Sequence, residues 1–279
     1  MTELQQLLPA DILTFMLVFS RVGAMVMTLP ALGELSIPAR ARLSLALGLT
    51  LIMAPVVGGL YPANISATIP SLAGIVLSEV ITGLAIGLLL RMVMGSVQVA
   101  GNVIATQTGL AFAQGVDPTQ GVQGALISMF LSLLAITLIF MSDLHHLLIA
   151  GIEHSFHLFP PGKIPVVGDF AKLATGTMSG MYMVGIQMSA PFIVFGLIVY
   201  GAAGVVARMM PQLQIFFLVT PLNILAGFVI LALTLSTMMM LFLDEFTSKA
   251  QLFVPHLSLI HISEPTRLRR ISYAVFCLK

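Results

Sequence analysis

Long apolar runs separated by short polar stretches organise most of this chain. The runs lie at about residues 12–29, 43–60, 69–94, 125–141, 181–207 and 215–243. Most contain about 18–27 residues, which at 1.5 Å per residue is enough to cross a hydrocarbon core of about 30 Å. Unpaired backbone groups are costly in lipid, so the pattern predicts about six membrane helices.

The third run does not stop cleanly. Its apolar pattern continues to about residue 112, and Gln98, Asn102 and Thr106 recur every four residues, which places them on one helical face. A helix over residues 71–109 would be about 58 Å long, nearly twice the thickness of a bilayer core. The polar row fits a water-filled path and a polar seam between helices equally well.

Three charged residues interrupt the apolar runs: Arg21, Glu79 and Arg91. A charge in the middle of a membrane costs at least about 2.5–3.5 kcal/mol, so each should face a partner, an aqueous space or the interface. We expect that Arg21, Glu79 or Arg91 makes a polar contact with a neighbouring helix or subunit. Together with Gln98 and Asn102, they are the candidate buried or inter-subunit polar residues.

Prolines and glycines predict helices that are bent and closely packed. A proline removes a backbone donor and bends a helix, and four lie inside or at the edges of the runs: Pro30, Pro55, Pro191 and Pro221. Two glycine pairs at helical spacing permit close helix approach, Gly83 with Gly87 and Gly176 with Gly180. Ordinary packing within the chain is the simplest explanation of either pair.

Composition supports the membrane interpretation. The chain has 279 residues, of which 58% are hydrophobic and 8% charged, and its mean hydropathy is +1.06. Soluble domains are typically about 25% charged. Glu3 and Asp11 stand where a signal peptide would carry basic residues, so we expect the first run to be retained. We predict an all-α, polytopic integral membrane protein of about six hydrophobic helices, several bent or broken, ending in a helical hairpin.

Charge along the chain predicts a topology. Arg40 and Arg42 lie between the first two runs, Arg91 near the end of the third, and Arg208 between the last two. By the positive-inside rule these positions are cytoplasmic and the N-terminus is outside. The net charge of +1 gives no indication of nucleic-acid binding.

Candidate catalytic and metal chemistry is sparse. The chain has one cysteine, Cys277, no phosphate-binding glycine loop and no recognised nucleophile motif. One segment carries several potential ligands: Asp143, His145, His146, Glu153, His154 and His157. His154 and His157 could share a helical face, but the spacing matches no closed zinc site. We expect no enzymatic activity, cofactor or metal, and interpret the segment as a membrane boundary or subunit contact.

The final residues differ from the rest of the chain. Apolar periodicity stops after about residue 259, and the tail carries the cysteine and four basic residues, Arg267, Arg269, Arg270 and Lys279. This text looks like translated sequencing-adapter DNA, so we expect residues 260–279 to be a non-native tail. A basic amphipathic tail on the membrane surface is the alternative.

Three stretches carry a family resemblance, in a fixed order. They are SRVGAMVMTLPALGELSIPARARLSLALGLTLIMAP, then FAQGVDPTQGVQGALISMFL, then ARMMPQLQIFFLVTPLNILAGF. Together they resemble the FliR family of flagellar export-gate membrane subunits and its relatives in type III secretion. The resemblance covers about residues 1–259.

The resemblance implies a role and a division of the chain. FliR-like proteins assemble with FliP-like and FliQ-like subunits into a conical gate for unfolded flagellar proteins, beside FlhB-like and FlhA-like export components. That gate belongs to the flagellar basal body in the bacterial inner membrane. The resemblance further implies a FliP-like portion over residues 1–175 and a FliQ-like helical hairpin over residues 176–259. Such a protein is a conduit component rather than an enzyme.

Two segments acquire specific roles from the resemblance. Residues 109–121 would form a plug-like loop that obstructs the closed gate, although a simple connecting loop is the alternative. Its candidate residues are Phe112, Gln114, Gly115, Asp117, Pro118 and Gly121. The hairpin tip would contain Arg208, Pro211 and Gln212, with Pro211 ending or kinking the helix and Arg208 anchoring the cytoplasmic turn.

A secondary transporter or channel for a small solute is the main alternative function. Proline-broken helices and buried charges would serve a transporter equally well. Many transporters are built from internal repeats, however, and the two halves of this sequence show none.

Overall fold

The computed structural model describes residues 10–34, 36–61, 69–110, 126–162, 167–210 and 215–254. Over these ranges the chain forms seven α-helices and no strand. The helices are α1 (Ala10–Thr28), α2 (Ala39–Val57), α3 (Ile69–Gln107), α4 (Leu126–Met141), α5 (Leu144–Leu158), α6 (Val167–Met209) and α7 (Ile215–Gln251). A short 3-10 turn, Gly58–Leu60, extends α2.

The predicted polytopic all-α membrane fold is confirmed. Four helical segments are long and apolar enough to cross a membrane: Ala39–Leu60, Pro70–Gln107, Gly168–Met209 and Val219–Gln251. The pair α4 and α5 makes a fifth candidate, broken by a bend of 76°, and α1 is a shorter apolar helix. Each of the six apolar runs therefore lies in a helix.

Sequence reasoning misjudged the extent of the later helices. α5 received no helix of its own in the sequence prediction, because its histidines and Glu153 mask its apolar face. α6 begins at Val167 rather than near residue 181, because its first turns are rich in glycine and threonine and lack a continuous apolar run. The predicted border between residues 175 and 176 therefore falls inside one continuous helix.

α3 is the central helix, and glycines set its distance from its neighbours. A Cβ atom at Gly83 would lie 2.6 Å from the carbonyl oxygen of Arg21, and one at Gly87 would collide with Thr28, so α1 packs directly on α3. Gly101 of α3 allows the same close approach to Ser128 of α4. The Gly83–Gly87 pair therefore serves packing within the chain.

The two C-terminal helices form an antiparallel hairpin. Gly180 of α6 lies beside Glu245 of α7, while Gly196 and Gly227 both lie against the last residues of α3, Gln107 and Thr108. Two contacts show that α6 runs parallel to α3: Met181 contacts Gly95, and farther along both helices Gly196 contacts Gln107. The predicted C-terminal hairpin is thus present, and it packs along the second half of α3.

Candidate functional site

A buried ion pair joins α1 to α3. Arg21 and Glu79 expose 1% and 0% of their side chains, and Arg21 Nε donates to Glu79 Oε2 at 2.5 Å. The close packing at Gly83 brings these two helices near enough for the contact. The two charges that the sequence places in separate apolar runs therefore lie together in the interior.

Arg21 also binds the C-terminal end of α5. Its Nη1 donates to the carbonyl oxygens of Ser155 at 3.0 Å and Phe159 at 2.9 Å, and the Phe156 ring centroid lies 4.4 Å from Cζ. Carbonyls at a helix C-terminus lack some of their intrahelical partners and carry partial negative charge, which favours a cation there. Arg21 thus caps α5 from a different helix.

Glu79 uses its second oxygen to hold the turn after α5. The backbone N–H of Gly162 donates to Glu79 Oε1 at 3.1 Å. Gly162 has a φ of +78°, a conformation that glycine adopts at little cost. The ion pair therefore connects α1, α3, α5 and the following turn through one set of hydrogen bonds.

Tyr61, which follows the α2 span, lies beside the same carboxylate. Burial raises the pKa of its hydroxyl, the negative charge of Glu79 raises it further, and Arg21 partly opposes this effect. No group in the described residues lies within hydrogen-bonding geometry of the Tyr61 oxygen. Tyr61 therefore stays neutral at physiological pH.

The outer face of α3 changes character along its length. Its first half exposes apolar side chains, namely Leu77, Ile81, Leu84 and Leu88. Arg91 follows on the same face, partly buried, with no ion pair or hydrogen bond in the described part of the chain. Beyond it Gln98, Asn102 and Thr106 are exposed. The predicted polar row thus lies on one surface of the single chain.

Part of the polar row contacts α4. The hydroxyl of Ser128 donates to Asn102 Oδ1 at 3.2 Å and to the carbonyl oxygen of Gln98 at 3.3 Å. The row therefore contributes to a seam between α3 and α4 and still presents polar groups outward.

The hairpin is apolar over an unusual length. No charged residue occurs in α6 between Lys172 and Arg208, about 35 residues or about 52 Å. Large apolar side chains are exposed along this stretch, including Leu173 at 41%, Leu197 at 75% and Val205 at 62%. Arg208 lies exposed in the last turn of α6.

Several predicted site residues fall outside the described residues. These are the hairpin-tip residues Pro211 and Gln212 and the six plug-like loop residues, Phe112, Gln114, Gly115, Asp117, Pro118 and Gly121. The tail at 260–279 also lies outside them. Their assigned roles stay predictions.

The histidine-rich segment brings together a different group from the one that sequence spacing singled out. Ligand atoms of Asp143, His145 and His146 all lie within 4.8 Å of one another at the bend between α4 and α5. Tetrahedral zinc ligands, with bonds of about 2.0–2.2 Å, lie only about 3.4 Å apart. His154 and His157 instead stack, with ring centroids 5.8 Å apart. The bend therefore brings three potential ligand residues together, and the interpretation of the segment as a membrane boundary or subunit contact stays a prediction.

Sequence reasoning missed the backbone partners of the ion pair. Ser155 and Phe159 contribute carbonyl oxygens and Gly162 contributes an N–H group, and none of these functions depends on side-chain chemistry. The glycine after two prolines in PPG was the one available signal, because such a sequence is typical of a tight turn.

Known proteins resemble this chain over most of its length. A family model for bacterial export proteins, family 1, matches residues 12–248. The flagellar biosynthetic protein FliR of Caulobacter vibrioides is 44% identical over 237 residues, covering 85% of this chain and 94% of that protein. FliR of Bacillus subtilis is 31% identical over 266 residues, covering 94% of this chain and 100% of that protein.

A third relative agrees with the first two. FliR of Escherichia coli is 30% identical over 213 residues, which cover 76% of this chain and 80% of that protein. The matched residues 12–248 include Arg21, Glu79, the whole of α3 and all but the last three residues of the C-terminal hairpin. The chain therefore belongs to the bacterial export proteins, family 1, the family of the flagellar biosynthetic proteins FliR.

Proposed function

We propose that this chain is a core membrane subunit of the flagellar type III export gate. In this role it forms, with FliP-like and FliQ-like subunits, a conduit for unfolded flagellar proteins in the bacterial inner membrane at the flagellar basal body. The observation that carries the proposal is the family match over residues 12–248, with FliR proteins matching over most of their own lengths.

The exposed apolar surface supports assembly with other membrane proteins. The uncharged part of α6 is about 52 Å long, whereas a hydrocarbon core is about 30 Å thick. Even a helix tilted by about 40° keeps only about 39 Å of its length inside such a core. The remaining apolar surface needs a protein partner, because monomeric proteins rarely expose large apolar patches to water.

We propose different roles for the two parts of the chain. α1 to α5 form a framework in which the Arg21–Glu79 pair specifies where α1, α3 and α5 meet, and α6 and α7 form the long apolar hairpin that contacts neighbouring subunits. The polar row of α3 directly precedes the plug-like loop at residues 109–121 in the chain. We propose that this loop obstructs the closed conduit, and that FlhB-like and FlhA-like components contact the assembled gate.

Co-purification from native cells tests the proposal directly. The full chain carries an affinity tag on its N-terminus, is expressed in place of the untagged protein, and is extracted in mild detergent. We expect FliP-like and FliQ-like proteins to be retained in constant ratio, as judged by mass spectrometry of the intact complex. A tagged, unrelated polytopic membrane protein from the same cells controls for non-specific retention.

Two results would contradict the export role. One is a chain recovered without those partners from cells that assemble flagella. The other is full motility in a strain that lacks this gene and carries no second copy. The solute-transporter alternative makes a separate prediction, namely uptake of a radiolabelled solute by the chain alone in liposomes, and that result would favour it.

A further inference from the structure

Four cationic residues lie near one height on the molecule. Leu90 of α3, Leu173 of α6 and Lys249 of α7 line the same small cavity, so the neighbouring Arg91 and Lys172 lie at a similar level along the helix axes. We call Arg40, Arg42, Arg91 and Lys172 the cationic belt.

The start of α2 reaches the same height. Gly87 of α3 packs against Thr28 at the end of α1, and just beyond that end Arg42 Nη1 donates to the carbonyl oxygen of Gly33 at 3.4 Å. Arg40 and Arg42 open α2 at this point. The packing of α1, α2, α3 and α6 therefore places the four belt cations at similar levels along the helix axes.

The belt cations lack carboxylate partners. None of the four forms an ion pair within the described residues, and Arg42 Nε is buried without a hydrogen-bond partner there. No described carboxylate, including Glu34, Asp169 and Asp244, comes within 4.0 Å of a belt nitrogen. Lys249, by contrast, pairs with Glu245 at 3.5 Å and is not a belt member.

Two apolar zones meet at the belt. The first contains α1, α2 and the first half of α3, about 33 Å long from Ile69 to Leu90, with exposed Leu51, Leu77 and Ile81. The second contains the second half of α3 and the hairpin, and along α6 it extends about 52 Å from Lys172 to Arg208. The predicted topology, with Arg91 and Arg208 at one membrane face, does not fit this separation.

Only one of these zones fits inside a hydrocarbon core of about 30 Å, because together they are more than twice as long. Both zones end at the belt. Whichever zone lies in lipid, the belt then lies at the level of the phospholipid headgroups. Arg and Lys side chains are favoured there, and guanidinium groups bind phosphate with two parallel hydrogen bonds.

We propose that Arg40, Arg42, Arg91 and Lys172 form a contact belt for phospholipid headgroup phosphates. The belt determines how deep the chain lies in the bilayer. One apolar zone then lies in lipid, and the zone on the opposite side of the belt is covered by protein. The inference rests on the helix registry and the unpaired cations, and it does not depend on the proposed export role.

Depth-dependent quenching tests the position of the belt. The chain contains no tryptophan, so the fluorescence of a single introduced tryptophan comes from one known position. The full chain is reconstituted in vesicles whose lipids carry bromine at shallow or deep acyl positions. We expect Leu88→Trp, one turn from Arg91, to be quenched most by shallow bromines. Ile81→Trp reports on the first apolar zone and Leu233→Trp on the second, and we expect only one of these two variants to be quenched most by deep bromines. Deep quenching of Leu88→Trp, or none, would overturn the proposal.

Lipid charge provides the second test. The melting temperature of the reconstituted chain is measured in phosphatidylcholine vesicles with increasing phosphatidylglycerol. We expect a rise of about 5 °C for the native chain, since each surface cation gains attraction from anionic lipid. The triple variant R40Q/R42Q/R91Q should lose most of this rise, and R40K/R42K/R91K, which retains the charges, should keep it. An equal rise in all three would contradict phosphate contact by the belt.

Discussion

At the scale of single residues, the interior tolerates Arg21 because its donors meet acceptors. Glu79 takes one donor, and the carbonyl groups at the end of α5 take another. Buried ion pairs often contribute little net stability over an apolar pair, but removing one partner leaves an uncompensated charge. The pair therefore matters more for specifying where α1, α3 and α5 meet than for adding stability.

Glu79→Leu should destabilise the chain by about 3–5 kcal/mol, because Arg21 would stay buried without its counter-charge. Thermal unfolding in detergent and recovery of the assembled complex measure the effect. The double variant Arg21→Met, Glu79→Leu should recover much of the loss, since no buried charge is left. Glu153→Leu, which removes a partly exposed carboxylate from α5, is the matched control and should change little. Normal assembly and export by the Glu79→Leu variant would show that the contact is dispensable.

Gly162 and Gly176 both have open space for a Cβ atom, so substituting each by alanine isolates the effect of backbone strain at Gly162. Gly162→Ala should cost about 1 kcal/mol, because φ there is +78° and a Cβ would meet no atom within 4 Å. Gly176→Ala also meets no atom, but Gly176 lies within helix α6, so that variant should be neutral or slightly stabilising. The melting temperatures of the two variants in one detergent decide the matter. Equal values would mean that the turn at Gly162 relaxes without cost.

At the scale of elements, α3 organises the molecule because its neighbours approach it at glycines. α1 packs at Gly83 and Gly87, α4 at Gly101, and α6 at Gly95. Small residues allow such approach, and in a membrane protein close van der Waals packing drives much of the helix association. One helix about 58 Å long thereby aligns three others along its length.

Gly83→Ala tests this packing within one helix. The new Cβ would lie 2.6 Å from a carbonyl oxygen and 2.9 Å from Ala24 Cβ, so α1 must shift, at a cost of about 1–3 kcal/mol. Gly74→Ala, in the same helix, meets nothing within 4 Å and should stabilise the helix slightly. Thermal unfolding compares the two variants. A tolerated Gly83→Ala would indicate that α1 can move away from α3 without penalty.

At the scale of the whole molecule, the chain presents more apolar surface than a bilayer can cover. The uncharged stretch of α6 alone exceeds a hydrocarbon core by about 20 Å. Lipid alone therefore cannot cover the apolar surface of this chain. Its partners are expected to cover the surface that lipid cannot.

The plug-like loop is tested in the assembled complex. Ala113 to Gly121 is replaced by a short Gly/Ser linker, and assembly is verified first. We expect higher conductance to small ions, because a loop with glycines and Asp117–Pro118 can obstruct a path and still rearrange. A linker exchange between α2 and α3, over residues 62–68, serves as the control. An assembled complex as tight as the native one would favour a simple connecting loop.

The sequence by itself determined the fold class, because helices are almost the only way to satisfy the backbone of long apolar runs in lipid. It also predicted the C-terminal hairpin and indicated that the helical pattern of α3 continues beyond residue 94, without deciding whether that helix breaks, and its ordered motifs pointed to the correct family. These properties follow from local pattern and composition.

Only the tertiary structure decided which charges meet. Nothing along the chain pairs Arg21 with Glu79, 58 positions away, or directs Arg21 to the carbonyls of Ser155 and Phe159. The sequence also did not predict the registry of α1, α2, α6 and α7 along α3, which brings four cations to one height. Such relations arise from contacts between distant segments, and backbone acceptors are present at every residue, so no side-chain pattern reveals which of them a fold will use.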